Sequence, residues 1–219
     1  MNVLLFGATG MIGQGVLREC LLDAGVARIL SVVRRPTSER DPKLAELVAR
    51  DIDDLETYES QLAGVDACFF CAGVSSAGMS EAEYTRVTHD LTLAVGRTVA
   101  RVAPGAVFIY VSGQGTDSTE RGRSMWARVK GRTENALLAL PFRAAYMFRP
   151  GYIQPLHGIR SKTRLYRVGA AVIAPFVPLL RRLAPAAVTT TEQVGRAMLA
   201  VARTGYARPH LEPSDINAL

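Results

Sequence analysis

The feature that most constrains this chain is its opening. An apolar run from Met1 to Phe6 passes without a gap into Gly7-Ala-Thr-Gly10-Met-Ile-Gly13, and an amphipathic stretch from Met11 to Leu22 follows. Glycines in the pattern G-x-x-G-x-x-G let a strand turn sharply into a helix, let backbone N–H groups approach a diphosphate, and let the helix pack close to the sheet. A glycine triplet alone says little, but a strand before it and a helix after it are the context this use requires. Gly7, Thr9, Gly10, Met11, Ile12 and Gly13 are therefore expected to cradle a nucleotide diphosphate.

The rest of the chain continues the alternation. Strands are expected at 2–6, 28–33, near 46–50, 66–71, 106–111 and 143–149, and helices at 11–24, 80–102 and 123–140. The runs Ala67 to Cys71 and Ala106 to Val111 are apolar throughout, as in strands covered on both faces. This pattern predicts an α/β fold, a Rossmann-type doubly wound parallel sheet. Ser80 with Glu83 three residues on marks a helix start, and Pro104-Gly105 marks its end. Beyond Pro150 the pattern changes: 151–156 reads as loop, 160–182 as an apolar and basic helix, and 191–204 as an amphipathic helix capped at Thr191. At 219 residues the chain is read as one domain, 1–219, in which 151–219 forms a small helical cap on the substrate side.

Composition narrows the partners. The net charge is +6 and the pI about 9.5, yet the 26 Lys and Arg residues are spread along the chain and aromatic residues make up only 7%, which argues against a nucleic-acid surface. Three cysteines form an odd set better suited to a reducing compartment than to disulfides. Cys68 and Cys71 have the C-x-x-C spacing, but within a strand residues three apart point to opposite faces. With only His89, His157 and His210 besides, no metal site is expected. The apolar start lacks a basic leader region, so a cytoplasmic location is expected. Val168–Leu180 contains Pro175 and Pro178 and is shorter than the ~20 residues of a membrane span; its flanking arginines leave only a surface contact with a membrane open.

In open α/β sheets ligands lie beyond the carboxyl ends of the strands, so the residues found there are the site candidates. After the second strand come Arg34 and Arg35, where an enzyme using NAD would carry a carboxylate for the ribose hydroxyl. Two guanidinium groups suit a 2′-phosphate, and NADP is the expected cofactor. After the third strand, Asp51 is placed to meet an adenine amino group. After the fourth, Cys71-Ala72-Gly73 offers small residues over which a dinucleotide can lie, and after the fifth Ser112 supplies a hydroxyl.

Taken together, Gly7 to Gly13, Arg34-Arg35, Asp51-Ile52, Cys71 to Gly73, Ser112, Lys130 and Arg149-Pro150-Gly151 resemble the short-chain dehydrogenase/reductase superfamily. The similarity is to its atypical and extended epimerase-like branches, and Val129-Lys130-Gly131 is similar to the small branch of Tat-interacting oxidoreductases. The resemblance implies cofactor contacts from Ile52, Val111, Lys130, Pro150 and Gly151 as well. It also implies a catalytic Ser, Tyr and Lys, the last two spaced Y-x-x-x-K so that ammonium and phenol share one helical face.

Here Ser112 and Lys130 are present, but the residue four before Lys130 is Trp126. An indole N–H has no proton equilibrium near neutral pH and cannot replace a phenol. Tyr152 is the substitute candidate; water or substrate as the proton partner, or a hydroxyl from Ser124 or Tyr110, are the alternatives. The reading is an NADP-dependent oxidoreductase for a small carbonyl or alcohol, with Ser112, Lys130 and Tyr152 as its catalytic candidates. A non-catalytic NADP-binding redox sensor is the alternative, and a sugar-nucleotide epimerase or dehydratase a further one.

Overall fold

The computed structural model describes residues 1–49, 55, 57–159 and 188–219. Among them run the strands β1 (Asn2–Phe6), β2 (Arg28–Val33), β3 (Leu44–Val48), β4 (Ala67–Phe70), β5 (Val107–Val111), β6 (Ala144–Phe148), β7 (Tyr152–Gln154), β8 (Val188–Thr190) and β9 (His210–Leu211). The main sheet has the order β3-β2-β1-β4-β5-β6-β9, and every neighbouring pair is parallel. The chain steps outward from β1 to β3, returns, and lays β4 on the other side of β1. The doubly wound fold is therefore present, with its switch point between the carboxyl ends of β1 and β4, where Phe6 is in register with Val32 on one side and Phe70 on the other.

Both faces of the sheet are covered, which explains the unbroken apolar runs. Val3, Leu5, Ile29, Phe69 and Ile109 face one way, onto α1 (Met11–Leu22) and the helix Thr191–Thr204. Leu4, Phe6, Leu30, Phe70, Phe108 and Tyr110 face the other and pack with Val95 and Val99. The period of two sends Cys68 into the second cluster and Cys71 against the first, so the C-x-x-C pair is split by the sheet, as its spacing requires.

The remaining helices are α2 (Glu59–Leu62), α3 (Glu81–Thr85), α4 (Leu91–Val102), α5 (Met125–Leu138), α6 (Thr191–Thr204) and α7 (Pro213–Asn217). Ser80 and Glu83 form the expected capping box, but a π-helical turn, Arg86–Asp90, separates α3 from α4. The cap of α6 is Thr190, one residue earlier than expected; its hydroxyl accepts from Gln193 N at 3.0 Å, and Thr191 is already helical. Leu44–Val48 replaces the strand expected near 46–50, because pairing of Ile29 with Leu44 sets the register of this edge strand.

The 151–156 stretch, expected as loop, contains β7, which pairs in parallel with β8 through Tyr152 and Val188. Three residues carry no periodicity of their own; a partner about 36 positions away makes them a strand. The expected helix over 160–182, with the apolar Val168–Leu180, lies outside the described residues. Among the described residues no helix is long and apolar enough to cross a membrane.

Candidate active site

Because the main sheet is parallel, the residues that follow β2, β1, β4 and β5 line one edge in that spatial order. At the end of β1, Gly7 takes φ +81°, and its carbonyl accepts from Gly10 N at 2.9 Å. A Cβ on Gly7 would stand 2.5 Å from Ala72 N, and one on Gly13 would stand 2.0 Å from Gly7 O. The turn, α1 and the segment after β4 are thus in backbone contact, which leaves a shallow cradle lined by peptide groups.

Gly10 caps α1 without a side-chain hydrogen bond, and no acidic residue occupies the first turn. Its leading N–H groups and the positive end of the helix dipole are left for an anion. Thr9 is held from behind, its carbonyl accepting from Gln14 Nε2 at 3.2 Å. Met11 and Ile12 are half-buried in the first turn, packed against the core. This is a fit for the diphosphate of a dinucleotide.

Arg34 and Arg35 follow β2, and both are exposed. Neither guanidinium has a hydrogen-bond or ion-pair partner among the described residues. Their loop is pinned at its far end: Thr37 N donates to Glu46 Oε2 at 3.1 Å, from β3. Asp51 and Ile52, expected near adenine, lie outside the described residues. Cys71 N donates to Phe6 O at 3.0 Å, which continues the β1–β4 ladder to the edge, while Ala72 and Gly73 pass over it. Burial pushes the Cys71 thiol above its ordinary range, with nearby Cys20 adding to the rise, so it is a packing group rather than a nucleophile.

Past β5 the structure brings Ser112 and Lys130 together. Lys130 Nζ donates to Ser112 O at 2.6 Å and lies 5.7 Å from the centre of the Tyr110 ring. Burial lowers the Lys130 ammonium to about 8, against an opposing pull from Glu134 one turn along α5. Ser112 itself is buried; its Oγ donates to Glu134 Oε1 at 2.5 Å and also faces Phe148 O at 3.2 Å.

Val111 is buried at the end of β5. Ser112 N donates to Phe148 O and Gln114 N to Pro150 O, so the β5 loop is stitched to Pro150 and Gly151 beyond β6. Trp126 is half-buried and lies beside this loop, 3.7 Å from where a Gly115 side chain would begin. Tyr152 sits on β7 rather than on a loop.

One group at this end was not singled out from the sequence. Glu134 is fully buried and pairs with Arg149, whose Nε donates to its Oε1 at 3.0 Å and whose Nη2 donates to its Oε2. Arg149 also reaches Glu212, at 3.2 Å, and Ser118. His210 Nε2 stands 3.5 Å from Glu134 Oε2. The available signal was spacing: Glu134 is four residues after Lys130, one turn away on the same face of α5.

A family model described as NAD(P)H-binding matches residues 7–139, from the first glycine of the cradle to the end of α5. This chain belongs to that NAD(P)H-binding family. "Protein fmp52-1, mitochondrial" of Aspergillus terreus is 30% identical over 181 residues, covering 80% of this chain and 75% of that protein. "Protein fmp52, mitochondrial" of Emericella nidulans is 31% identical over 170 residues, covering 74% and 70%.

Among solved structures, the enzyme WbmF of Bordetella bronchiseptica in complex with NAD+ has a TM-score of 0.67 at 15% identity, with 99% of this chain and 76% of that one covered. A short-chain dehydrogenase from Burkholderia cenocepacia in complex with NADP has a TM-score of 0.66 at 17% identity, covering 96% and 87%. At such identities these two share the fold. The fold expected from the resemblance to short-chain dehydrogenases and reductases is present, and the family model makes the chain an NAD(P)H-binding protein.

The expected cytoplasmic location is corrected by the relatives, which are named mitochondrial.

Proposed function

We propose that this member of the NAD(P)H-binding family is an NADP-dependent oxidoreductase acting on a small carbonyl or alcohol. The observation that carries this reading is the order of groups along the sheet edge. Two guanidinium groups without a partner among the described residues follow β2, a peptide-lined cradle follows β1, small residues follow β4, and an ammonium stands over the end of β5. That is the order of a 2′-phosphate, a diphosphate and a nicotinamide ribose along one extended dinucleotide. The bound cofactor supplies or accepts hydride. On the protein side, Arg34 and Arg35 neutralise the 2′-phosphate, the first turn of α1 holds the diphosphate, and Lys130 holds the nicotinamide ribose beside the reacting carbon.

Calorimetry and a reductase assay test this. Arg34→Ala/Arg35→Ala is expected to weaken NADPH by about 2–4 kcal/mol, roughly 30- to 1,000-fold in Kd, while NADH binding stays as it was. Equal losses for the two cofactors would remove the case for NADP. The assay follows NADPH oxidation with a panel of aldehydes, ketones and quinones. Tight NADPH binding without turnover on any of them would favour a second reading, an NADP-dependent sensor without chemistry. That reading has its own support in Trp126, which stands where the superfamily's phenol is expected.

A further inference from the structure

Reduction of a carbonyl needs a proton as well as a hydride, and the groups at the end of β5 differ in what they can give. Trp126 offers an indole N–H that does not ionise near neutral pH. Ser112 has a single proton, and two acceptors already face its Oγ, Glu134 Oε1 at 2.5 Å and Phe148 O at 3.2 Å. Glu134 has both oxygens taken, by Nε and Nη2 of Arg149 and by the Ser112 hydroxyl. Tyr110 is 1% exposed, inside β5. Lys130 is different. Its Nζ carries three protons, of which one is spent on Ser112 O at 2.6 Å.

We propose that the Lys130 ammonium is the proton donor to the substrate oxygen, standing in for the phenol that Trp126 displaces. This rests on the reductase reading above. As the carbonyl carbon accepts hydride from the reduced nicotinamide cofactor, the carbon–oxygen π pair moves to oxygen. That oxygen takes a proton from Nζ: one N–H bond breaks and one O–H bond forms. The resulting neutral amine is reprotonated from solvent, and the protein returns to its starting charge.

The surroundings of Nζ suit this cycle. The Tyr110 ring of β5 lies under it, and Tyr84 of α3 bears in turn on Tyr110. Glu134 lies one turn along α5, with Arg149 from the end of β6 and His210 of β9 beside its carboxylate. Burial lowers Lys130 to about 8 and Glu134 keeps it from falling further, so at pH 7 it is protonated yet a far better acid than an exposed lysine.

The test is Lys130→Arg, assayed with NADPH and the carbonyl panel, together with a 13C-lysine NMR titration of the unsubstituted, ligand-free chain. Arginine keeps a cation and a donor for Ser112 O but does not release a proton. At saturating NADPH kcat should fall by roughly 100-fold or more, the usual worth of a general acid. The unsubstituted chain should lose kcat above pH about 8, and Lys130→Arg should lack that limb. The Lys130 Cε resonance should titrate near 8 without cofactor or substrate.

A Lys130→Arg variant with the kcat and basic limb of the unsubstituted chain overturns the proposal and leaves the reductase reading standing. So does a Cε titration near the ordinary ~10.4, or a limb that Tyr152→Phe abolishes and Lys130→Arg preserves. If the unsubstituted chain binds NADPH but reduces nothing, the reductase reading fails first and this proposal with it.

Discussion

Gly13→Ala should nearly abolish cofactor binding and lower the stability of the whole domain, although alanine is the better helix former. In an exposed helix this exchange gains about 1 kcal/mol. Here the new Cβ would stand 2.0 Å from Gly7 O, 2.6 Å from Gly7 C and 3.0 Å from Ala8 Cα. All three neighbours are backbone, so no side chain can swing aside. The clash is relieved only by lifting α1 from the turn, which loosens Val16 and Cys20 from the core and spoils the aim of the first-turn N–H groups.

Overpacking of this kind costs about 1–3 kcal/mol after the helical gain is offset. At roughly 2–4 °C per kcal/mol for a chain of this size, the melting temperature should drop by about 3–10 °C. NADPH affinity should fall by roughly 100-fold or more, since every diphosphate hydrogen bond shifts together. Gly105→Ala is the control: nothing lies within 4 Å of its added Cβ, and stability should stay within about 0.5 kcal/mol. If Gly13→Ala melts and binds like the unsubstituted chain, the cradle is not where the diphosphate sits.

The cradle was legible because its requirements are local. A strand, three glycines and a helix are consecutive, and both Gly7 and Gly13 are constrained by atoms that the motif itself or its neighbouring strand supplies. The parallel sheet was legible for a related reason: when both faces are buried, each strand announces itself without reference to its partner, as Val107–Val111 does. What escaped depends on pairing across the chain. Tyr152–Gln154 and His210–Leu211 are strands only because Val188–Thr190 and β6 lie beside them.

The same holds for Glu134. Nothing in its own helix distinguishes it from a solvated carboxylate. Its burial follows from Arg149, fifteen residues away on another element, and from Ser112, twenty-two residues away on a third. The π-helical turn at Arg86–Asp90 contains neither proline nor glycine, so its sequence carries no mark of it.

Removing the Glu134 carboxylate should be the most damaging single change at the reacting end. Glu134→Ala leaves the Arg149 guanidinium, whose side chain is only 12% exposed, with Glu212 at 3.2 Å as its remaining carboxylate, and that partner is itself 43% exposed. Breaking one side of a buried pair costs about 3–5 kcal/mol, because the stranded charge cannot recover its hydration. Urea denaturation should show that loss as a lower midpoint with an unchanged slope.

The double variant Glu134→Leu/Arg149→Met removes both charges and should lie within about 1–2 kcal/mol of the unsubstituted chain, since a buried pair is worth little more than well-packed apolar groups. A double-mutant cycle with Glu134→Leu and Arg149→Met as its singles separates attraction between the two from the penalty of stranding one. The cycle also bears on chemistry. In each variant that lacks Glu134, Ser112 loses that carboxylate, and Phe148 O at 3.2 Å remains as the acceptor facing its hydroxyl. Were Glu134→Ala to cost less than about 1 kcal/mol, the carboxylate would have to be solvated in the folded chain. The orientation of Ser112 would then rest on Phe148 O alone.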